Sequence, residues 1–167
     1  MLGLLIYQGL TTTNLQKLNV ENVQLYKGKI DILGTKKSNG RTLELKPWQL
    51  MELMEYINEV RPRILEQRTC IEHSRNEETE QLFLPLGTSL KLQNSLTKIT
   101  KELKKINHKF IDVKQIRTSV IVNWLKQYNL RKVQYLAGHR YISSTERYQQ
   151  DDLESLHKTI NTFHPFS

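Results

Sequence analysis

Short apolar runs separated by glycine turns characterise the first third of the chain. Apolar residues at helical spacing in residues 2–6 stop at a Gln-Gly turn, and a threonine after that turn is a suitable cap for a second short helix. Two runs rich in strand-favouring residues, Val23–Leu33 and Arg41–Leu45, flank a Gly/Ser/Asn turn, and a Lys-Gly turn divides the first run. The pattern predicts a small antiparallel sheet of three strands.

Apolar residues recur every three or four positions through most of the remaining sequence, which indicates amphipathic helices. Pro47 opens the first of them, as proline does at a first helical position, and its predicted apolar stripe is Leu50, Met51, Met54 and Ile57. Residues 66–80 are polar and aperiodic and predict a surface loop, followed by a short buried extended piece at 81–87. Further stripes predict helices over Ser89–Ile106, Val113–Tyr128, Leu130–Ala137 and Asp151–Thr162. The predicted fold class is mainly α with a small three-stranded antiparallel sheet (α+β).

The excess of basic residues indicates the kind of partner that the chain binds. The 167-residue chain, long enough for one domain with its own core, carries 25 Lys and Arg against 17 Asp and Glu, a formal net charge of +8. Ten of the basic residues fall within residues 101–140, where Glu102 and Asp112 are the acidic ones. This concentration suits a surface for a polyanion such as nucleic acid, although a solvated cationic face has the same composition.

The number of cysteines and the first ten residues indicate the cellular compartment. A single cysteine, Cys70, excludes an internal disulfide framework and a multi-thiolate zinc site, and fits a reducing cytoplasm. The apolar start lacks a basic leader and meets a glycine turn after about ten residues, so it predicts neither a signal peptide nor a membrane span. We expect a cytoplasmic, nucleoid-associated protein with no membrane partner.

The stretch LAGHRYISSTERYQQ places a short helix, a Gly-His pair and a Thr-x-x-Tyr segment in succession. This order resembles the end of the catalytic domain of tyrosine recombinases, the phage integrase family. Earlier segments resemble the family's other boxes in the same order. The opening Gly-Leu-Arg box corresponds to YQGLTTTNLQKLNVENV, and the lysine-bearing β-hairpin corresponds to ILGTKKSNGRTLEL. The His-x-x-Arg-His box corresponds to KQIRTSVIVNWL, and the Leu-Gly-His box corresponds to LAGH. Because the resemblance covers nearly the whole chain, it is far more specific than any one motif. It implies the tyrosine recombinase catalytic-domain fold.

The resemblance also implies an activity, site-specific cutting and rejoining of double-stranded DNA without a metal or other cofactor. Tyr148 would be the nucleophile of a 3′-phosphotyrosyl intermediate; a tyrosine is ordinarily only about 0.1% ionised at neutral pH, so it needs nearby positive charge or a base. Arg117 would grip the scissile phosphate with two parallel hydrogen bonds, and His139 would donate to that phosphate or tune the tyrosine. Lys36 would protonate the leaving 5′ oxygen, with Lys37 as the neighbouring alternative.

Each of these residues also has an ordinary structural explanation. Tyr148 could anchor the tail, Arg117 could pack its stem on the helix surface, and His139 could simply end a helix. Further basic residues are expected to contact DNA, and they are Lys37, Arg41, Arg131, Lys132 and Arg140.

Four positions depart from the family pattern. The first arginine of the family is Thr11 here, and the acidic residue that follows it is Asn14. In the central box, Lys114 replaces the first histidine and Thr118 the last. Losing one transition-state donor commonly costs about 10²–10³ in rate. Either Lys114 or another basic side chain supplies the lost charge, or the protein binds DNA without cutting it.

A third interpretation is a transcription regulator, because the helices predicted at 113–128 and 130–137 could form a helix-turn-helix. It leaves the sheet and the opening boxes unexplained.

Members of the family usually carry a second, amino-terminal helical domain that completes a clamp around DNA. Here the first helix is already under way at Met1, so residues 1–167 are interpreted as a single catalytic domain without that clamp domain. The segment 151–167 is interpreted as a tail helix that promotes self-association, as a tetramer, on DNA.

Overall fold

Helices surround one small sheet in the computed structural model, which describes residues 1–71, 80–85 and 92–149 and the side chains of these except 68–71. The helices are α1 (Leu2–Tyr7), α2 (Thr12–Lys17), α3 (Pro47–Glu55), α4 (Arg61–Ile71), α5 (Leu92–Ile106), α6 (Val113–Gln127) and α7 (Leu130–Ala137). A π-helical segment, Tyr56–Val60, joins α3 to α4, and short 3₁₀ turns occupy Val20–Asn22 and Leu25–Lys27. Residues 143–149 are also helical. The mainly helical fold class is therefore confirmed.

The predicted three-stranded sheet is present. Strands β1 (Val23–Gln24), β2 (Lys29–Ile32) and β3 (Arg41–Glu44) are antiparallel and lie in the order β1-β2-β3. Ile30 lies opposite both Val23 and Leu43, and alternate residues on β2 and β3 are buried, as expected of a sheet with one face on the core.

The apolar stripe predicted for α3 is wrong at two positions. Met51 and Met54 are 74% and 54% exposed, whereas Gln49 and Leu53 are buried. Gln49 enters the core because its amide exchanges two hydrogen bonds of 2.9 Å with the buried amide of Gln8. A buried amide whose partners are supplied costs little, and the sequence pattern counts it as polar.

The loop predicted at residues 66–80 is also wrong in part, since α4 extends to Ile71. Once a helix has begun, each added residue gains a hydrogen bond without a new nucleation cost, so a polar stretch can continue a helix that an earlier segment started. Residues 72–79 lie outside the described residues, as does the helix predicted at 151–162.

Two apolar clusters hold the molecule together. The larger one joins α1, α2, the sheet, α3, residues 82–83 and α5. The smaller one, formed by Ile121, Val133 and Ala137 with Trp124, Leu125 and Tyr148 packed against it, joins α6 and α7 to the helical residues 143–149. In the described part of the chain, none of the helices is long and apolar enough to span a membrane.

Candidate active site

Arg117 lies at the centre of the site and joins three parts of the chain. It occupies α6, whose amino terminus is capped by Asp112, where the carboxylate accepts a 2.8 Å hydrogen bond from the amide of Gln115. The Arg117 guanidinium donates to the backbone carbonyl of Gly9 and, at 2.7 Å, to that of Ala137. The central arginine is therefore fixed between α6, the turn after α1 and the end of α7.

His139 lies within reach of the same guanidinium. Its Nε2 is 3.2 Å from Nη2 of Arg117, and its Nδ1 is 2.9 Å from Oγ1 of the fully buried Thr145. Because a guanidinium only donates hydrogen bonds, Nε2 must accept, and Nδ1 then carries the proton and donates to Thr145. Burial, together with the positive charges of Arg117 and Arg41, lowers the pKa of His139 to about 4. The imidazole is therefore neutral at neutral pH.

Tyr148 completes a cluster of three residues that are far apart in sequence. It lies on the helical residues 143–149, and its ring stacks on His139 with 5.7 Å between centroids and an interplanar angle of 11°. Burial lowers the pKa of Arg117, and the nearby Tyr148 opposes that shift. Tyr141, by contrast, is 66% exposed. The arginine, histidine and tyrosine identified from the sequence thus meet in one place.

A β-hairpin reaches this cluster from the other side. Lys36 and Lys37 form the centre of the turn between β2 and β3, which closes through a 2.8 Å hydrogen bond from the amide of Thr35 to the carbonyl of Ser38. The next amide, that of Asn39, donates to the carbonyl of Gly138 at 3.0 Å. Arg140 donates to the carbonyl of Lys36 at 3.1 Å. The hairpin tip is thereby attached to the turn that carries His139.

An open cavity of about 600 Å³ lies between the hairpin, the start of α2 and this turn. It is lined by Thr11, Thr13, Asn14, Lys17, Thr35, Lys36, Lys37, Ser38, Arg41, Arg117, Ala137, Gly138 and His139. Five of these described lining residues are Lys or Arg and none is Asp or Glu, so the cavity favours an anion. Lys17 was missed from the sequence; its place on a short helix after a turn gave no distinguishing signal.

Thr11 and Asn14, two of the positions that differ from the family pattern, form hydrogen bonds with each other at the start of α2. Thr11 caps the helix: its hydroxyl accepts from the amide of Asn14 at 3.1 Å, and the Asn14 side chain accepts from the amide of Thr11 at 3.1 Å. Thr11 is the cap that the sequence predicts. Both side chains border the cavity, but their polar atoms serve the helix end.

The remaining predicted residues fall into two groups. Lys114, Arg131 and Lys132 are exposed and do not line the cavity, and the ammonium of Lys132 lies 4.1 Å from the ring centre of Tyr128. Arg41 is different, because only 5% of its surface is exposed although its guanidinium carries a charge. Its burial was not expected from the sequence, where it follows a polar turn.

Comparison with known proteins identifies the fold. Residues 1–154 match the model of the phage integrase family. The tyrosine recombinase XerD of Staphylococcus epidermidis RP62A is 33% identical over 99% of this chain and 54% of the relative, and that of Staphylococcus aureus Mu50 is 29% identical over the same shares. The chain thus spans about half the length of these curated relatives.

Solved structures agree with this comparison. Those of XerA recombinase and of XerH recombinase bound to a palindromic difH substrate in a post-cleavage complex both superpose with a TM-score of 0.66. Their identities are 18% and 19%; the matches cover 99% and 94% of this chain, and 56% and 43% of the matched chains. The predicted tyrosine recombinase catalytic-domain fold is confirmed.

Proposed function

Because the chain belongs to the phage integrase family, we propose that it is the catalytic part of a site-specific recombinase that cuts and rejoins double-stranded DNA through Tyr148. The observation that carries the proposal is the convergence of Arg117, His139 and Tyr148, which hydrogen bonds and ring stacking join beside a cationic cavity. The complex of XerH with its difH substrate, and the recombinase names of the relatives, agree with this assignment.

In the proposed reaction, the Tyr148 phenol releases its proton to solvent, its oxygen attacks the scissile phosphorus, and the bond from phosphorus to the 5′ oxygen breaks. The leaving oxygen takes a proton from Lys36, and the phosphate remains attached to the enzyme as a 3′-phosphotyrosyl ester. A 5′ hydroxyl then attacks this ester and releases the tyrosine, so the bond energy is conserved for rejoining. The protein needs to supply only positioning and charge stabilisation.

The remaining residues have electrostatic roles. Arg117 stabilises negative charge on the non-bridging oxygens, and its proximity to Tyr148 places that positive charge beside the nucleophile. Neutral His139 stacks on the Tyr148 ring and accepts a hydrogen bond from Arg117, so it positions the nucleophile relative to the arginine. Lys37 and Arg140, at the hairpin tip, contact the DNA backbone; Arg131 and Lys132 extend this contact along α7.

Covalent trapping tests the proposal. Nicked duplexes from the ends of the genetic element that encodes the protein are incubated with the chain, and denaturant-resistant adduct and gel shift are scored on the same samples. Tyr148→Phe abolishes the adduct while leaving the gel shift within about twofold. Tyr141→Phe, which alters an exposed tyrosine seven positions earlier, is the matched control and keeps the adduct.

A DNA-binding relative that does not cut is the second candidate, and the occupation of the first-arginine position by a helix cap favours it. A sequence-specific gel shift without adduct in the parent chain establishes this second function and overturns the first.

We further propose that residues 1–167 act as one half of a clamp on the duplex, and that residues 151–167 promote self-association there. Comparing the stoichiometry on DNA of the chain with that of a variant ending at residue 150 tests the second statement. Unchanged stoichiometry contradicts it.

A further inference from the structure

Arg41 is a buried charge for which the described residues supply no partner. It begins β3 opposite Ile32, and its side chain is 5% exposed. Its Nε, Nη1 and Nη2 atoms are all buried, and none has a hydrogen-bond partner in the described part of the chain. Buried guanidinium groups are ordinarily paired or fully hydrogen-bonded, because removing the charge from water is unfavourable. An arginine in this state is typical of a site that an anion completes.

The surroundings of Arg41 increase the need for an anion. Burial and the charge of Arg117 lower the pKa of Arg41 to about 10, and Tyr135 only partly opposes them. Arg41 and Arg117 line the same cavity, together with His139, and no carboxylate lines it among the described residues. Two like charges that face one cavity repel each other until a negative group lies between them.

The close fit at Gly138 places the guanidinium against the functional turn. A Cβ atom built at Gly138 would lie 2.8 Å from Cζ of Arg41, so only glycine leaves room for the guanidinium. The same residue carries the turn to His139. Arg41 therefore lies at the wall of the cavity against the turn. Contact with a bound anion requires its last torsions to turn the buried nitrogen atoms toward the cavity.

The arginine that the family pattern places at position 11 is missing from the lining of this cavity. Thr11 lines the same cavity as Arg41, but its hydroxyl caps α2. Lys114, the replacement suggested by the sequence, is exposed and does not line this cavity. The start of α2 thus lacks the arginine of the family pattern. Arg41 on β3, whose guanidinium has no partner among the described residues, lines the same cavity.

We propose that Arg41 is a second phosphate-binding arginine, which replaces the charge absent at Thr11 and holds a phosphodiester together with Arg117. The inference rests on the proposed function for the identity of its ligand. A phosphodiester suits this site, because guanidinium groups form charge-assisted hydrogen bonds with its non-bridging oxygens. The scissile phosphate is the anion that restores electrical balance to the cavity.

The first test uses inorganic phosphate as the probe and the melting temperature as the readout. Phosphate raises the melting temperature of the parent chain relative to chloride at equal ionic strength. Arg41→Gln removes at least half of that rise, and it does not lower the melting temperature in chloride, because it removes an unpaired buried charge. Arg63→Gln, an exposed arginine on α4, is the control and keeps the full rise.

The second test measures adduct formation on nicked duplexes. Arg41→Gln slows trapping by about 10²-fold or more, and Arg41→Lys slows it less, because it keeps the charge. Adding Thr11→Arg to Arg41→Gln recovers trapping to within about tenfold of the parent, since it restores a guanidinium to the lining of the cavity. Melting temperatures of all variants confirm that they are folded at the assay temperature.

The outcomes separate the inference from the proposed function. A phosphate-induced rise that Arg41→Gln leaves intact, or trapping by Arg41→Gln within twofold of the parent, overturns the role of Arg41 while Tyr148-dependent adduct still supports the recombinase. An Arg41-dependent phosphate effect in a chain that forms no adduct supports the anion site and contradicts cleavage. A lower melting temperature of Arg41→Gln in chloride, with no change in the phosphate effect, shows a structural role and overturns the inference.

Discussion

At the scale of single residues, the protonation of His139 follows from its two ring contacts. Arg117 can only donate to Nε2, and Thr145 receives the proton on Nδ1. A second proton would place a positive charge beside two arginines in a partly buried site, and the pKa of about 4 reflects that cost. Free protein at neutral pH therefore holds a neutral imidazole against the tyrosine ring.

Stability should depend on pH through this histidine. The ordinary pKa of 6.5 applies to the unfolded chain, whereas the folded value is about 4. Between these values the unfolded chain binds a proton that the folded protein does not, so the free energy of unfolding falls as the pH falls. We expect the melting temperature of the parent to drop more between pH 7 and pH 4.5 than that of His139→Gln.

An exposed histidine supplies the control for this comparison. His108→Gln, in the turn after α5, should retain the parent's pH dependence. Equal slopes for His139→Gln and the parent would contradict the assignment.

The family resemblance was sufficient to predict that Arg117, His139 and Tyr148 belong together, because each lies at a fixed offset within its own local motif, and the structure brings them into one cluster. The resemblance did not reveal the burial of Arg41 or the Gln8 and Gln49 amide pair. Those depend on which residue of a distant segment faces the side chain, and periodicity within one segment carries no such information.

At the scale of elements, the hairpin and the turn after α7 behave as one unit. The amide of Asn39 bonds to the carbonyl of Gly138, and the phenol oxygen of Tyr135 on α7 accepts from the amide of Thr42 on β3 at 3.1 Å. Gly138 closes α7 in the left-handed region with φ of 70°. The proposed general acid and His139 are thus positioned by adjoining backbone segments.

Gly138→Ala should disturb this unit more than an equivalent change elsewhere. Gly28 has a similar φ of 64°, but among the described residues a Cβ there meets Leu50 alone, at an ordinary 3.6 Å. Gly28→Ala therefore carries the backbone penalty alone, about 1 kcal/mol, whereas Gly138→Ala also displaces the guanidinium of Arg41. We expect the larger fall in the free energy of unfolding, measured by denaturant titration, for Gly138→Ala. Equal losses for the two variants would contradict the close packing at Arg41.

Element types were predictable from local pattern, whereas the faces they bury were not. The proline start of α3, the glycine end of α7 and the alternation in β2 and β3 are local signals and were confirmed. The buried face of α3 depended on a partner amide just after α1, which no pattern within α3 could indicate.

At the scale of the whole molecule, the net charge of +8 predicts that the proposed binding to DNA weakens steeply as salt rises. Each phosphate contact contributes about 0.9 to the slope of log affinity against log salt on duplex DNA. Lys37→Gln, at the hairpin tip, should lower affinity and reduce this slope by about one. Arg63→Gln should leave it unchanged, and fluorescence anisotropy between 50 and 200 mM salt, about a fourfold range, measures both. Equal slopes for the parent and Lys37→Gln would contradict a DNA contact at the hairpin tip.

The helix cap formed by Thr11 and Asn14 has an evolutionary consequence. Arginine at position 11 would remove the hydroxyl that caps α2, at about 1 kcal/mol, and would leave the Asn14 amide without its acceptor. A single substitution to the family's arginine therefore carries a loss of stability, and an evolutionary path to it is expected to change Asn14 as well.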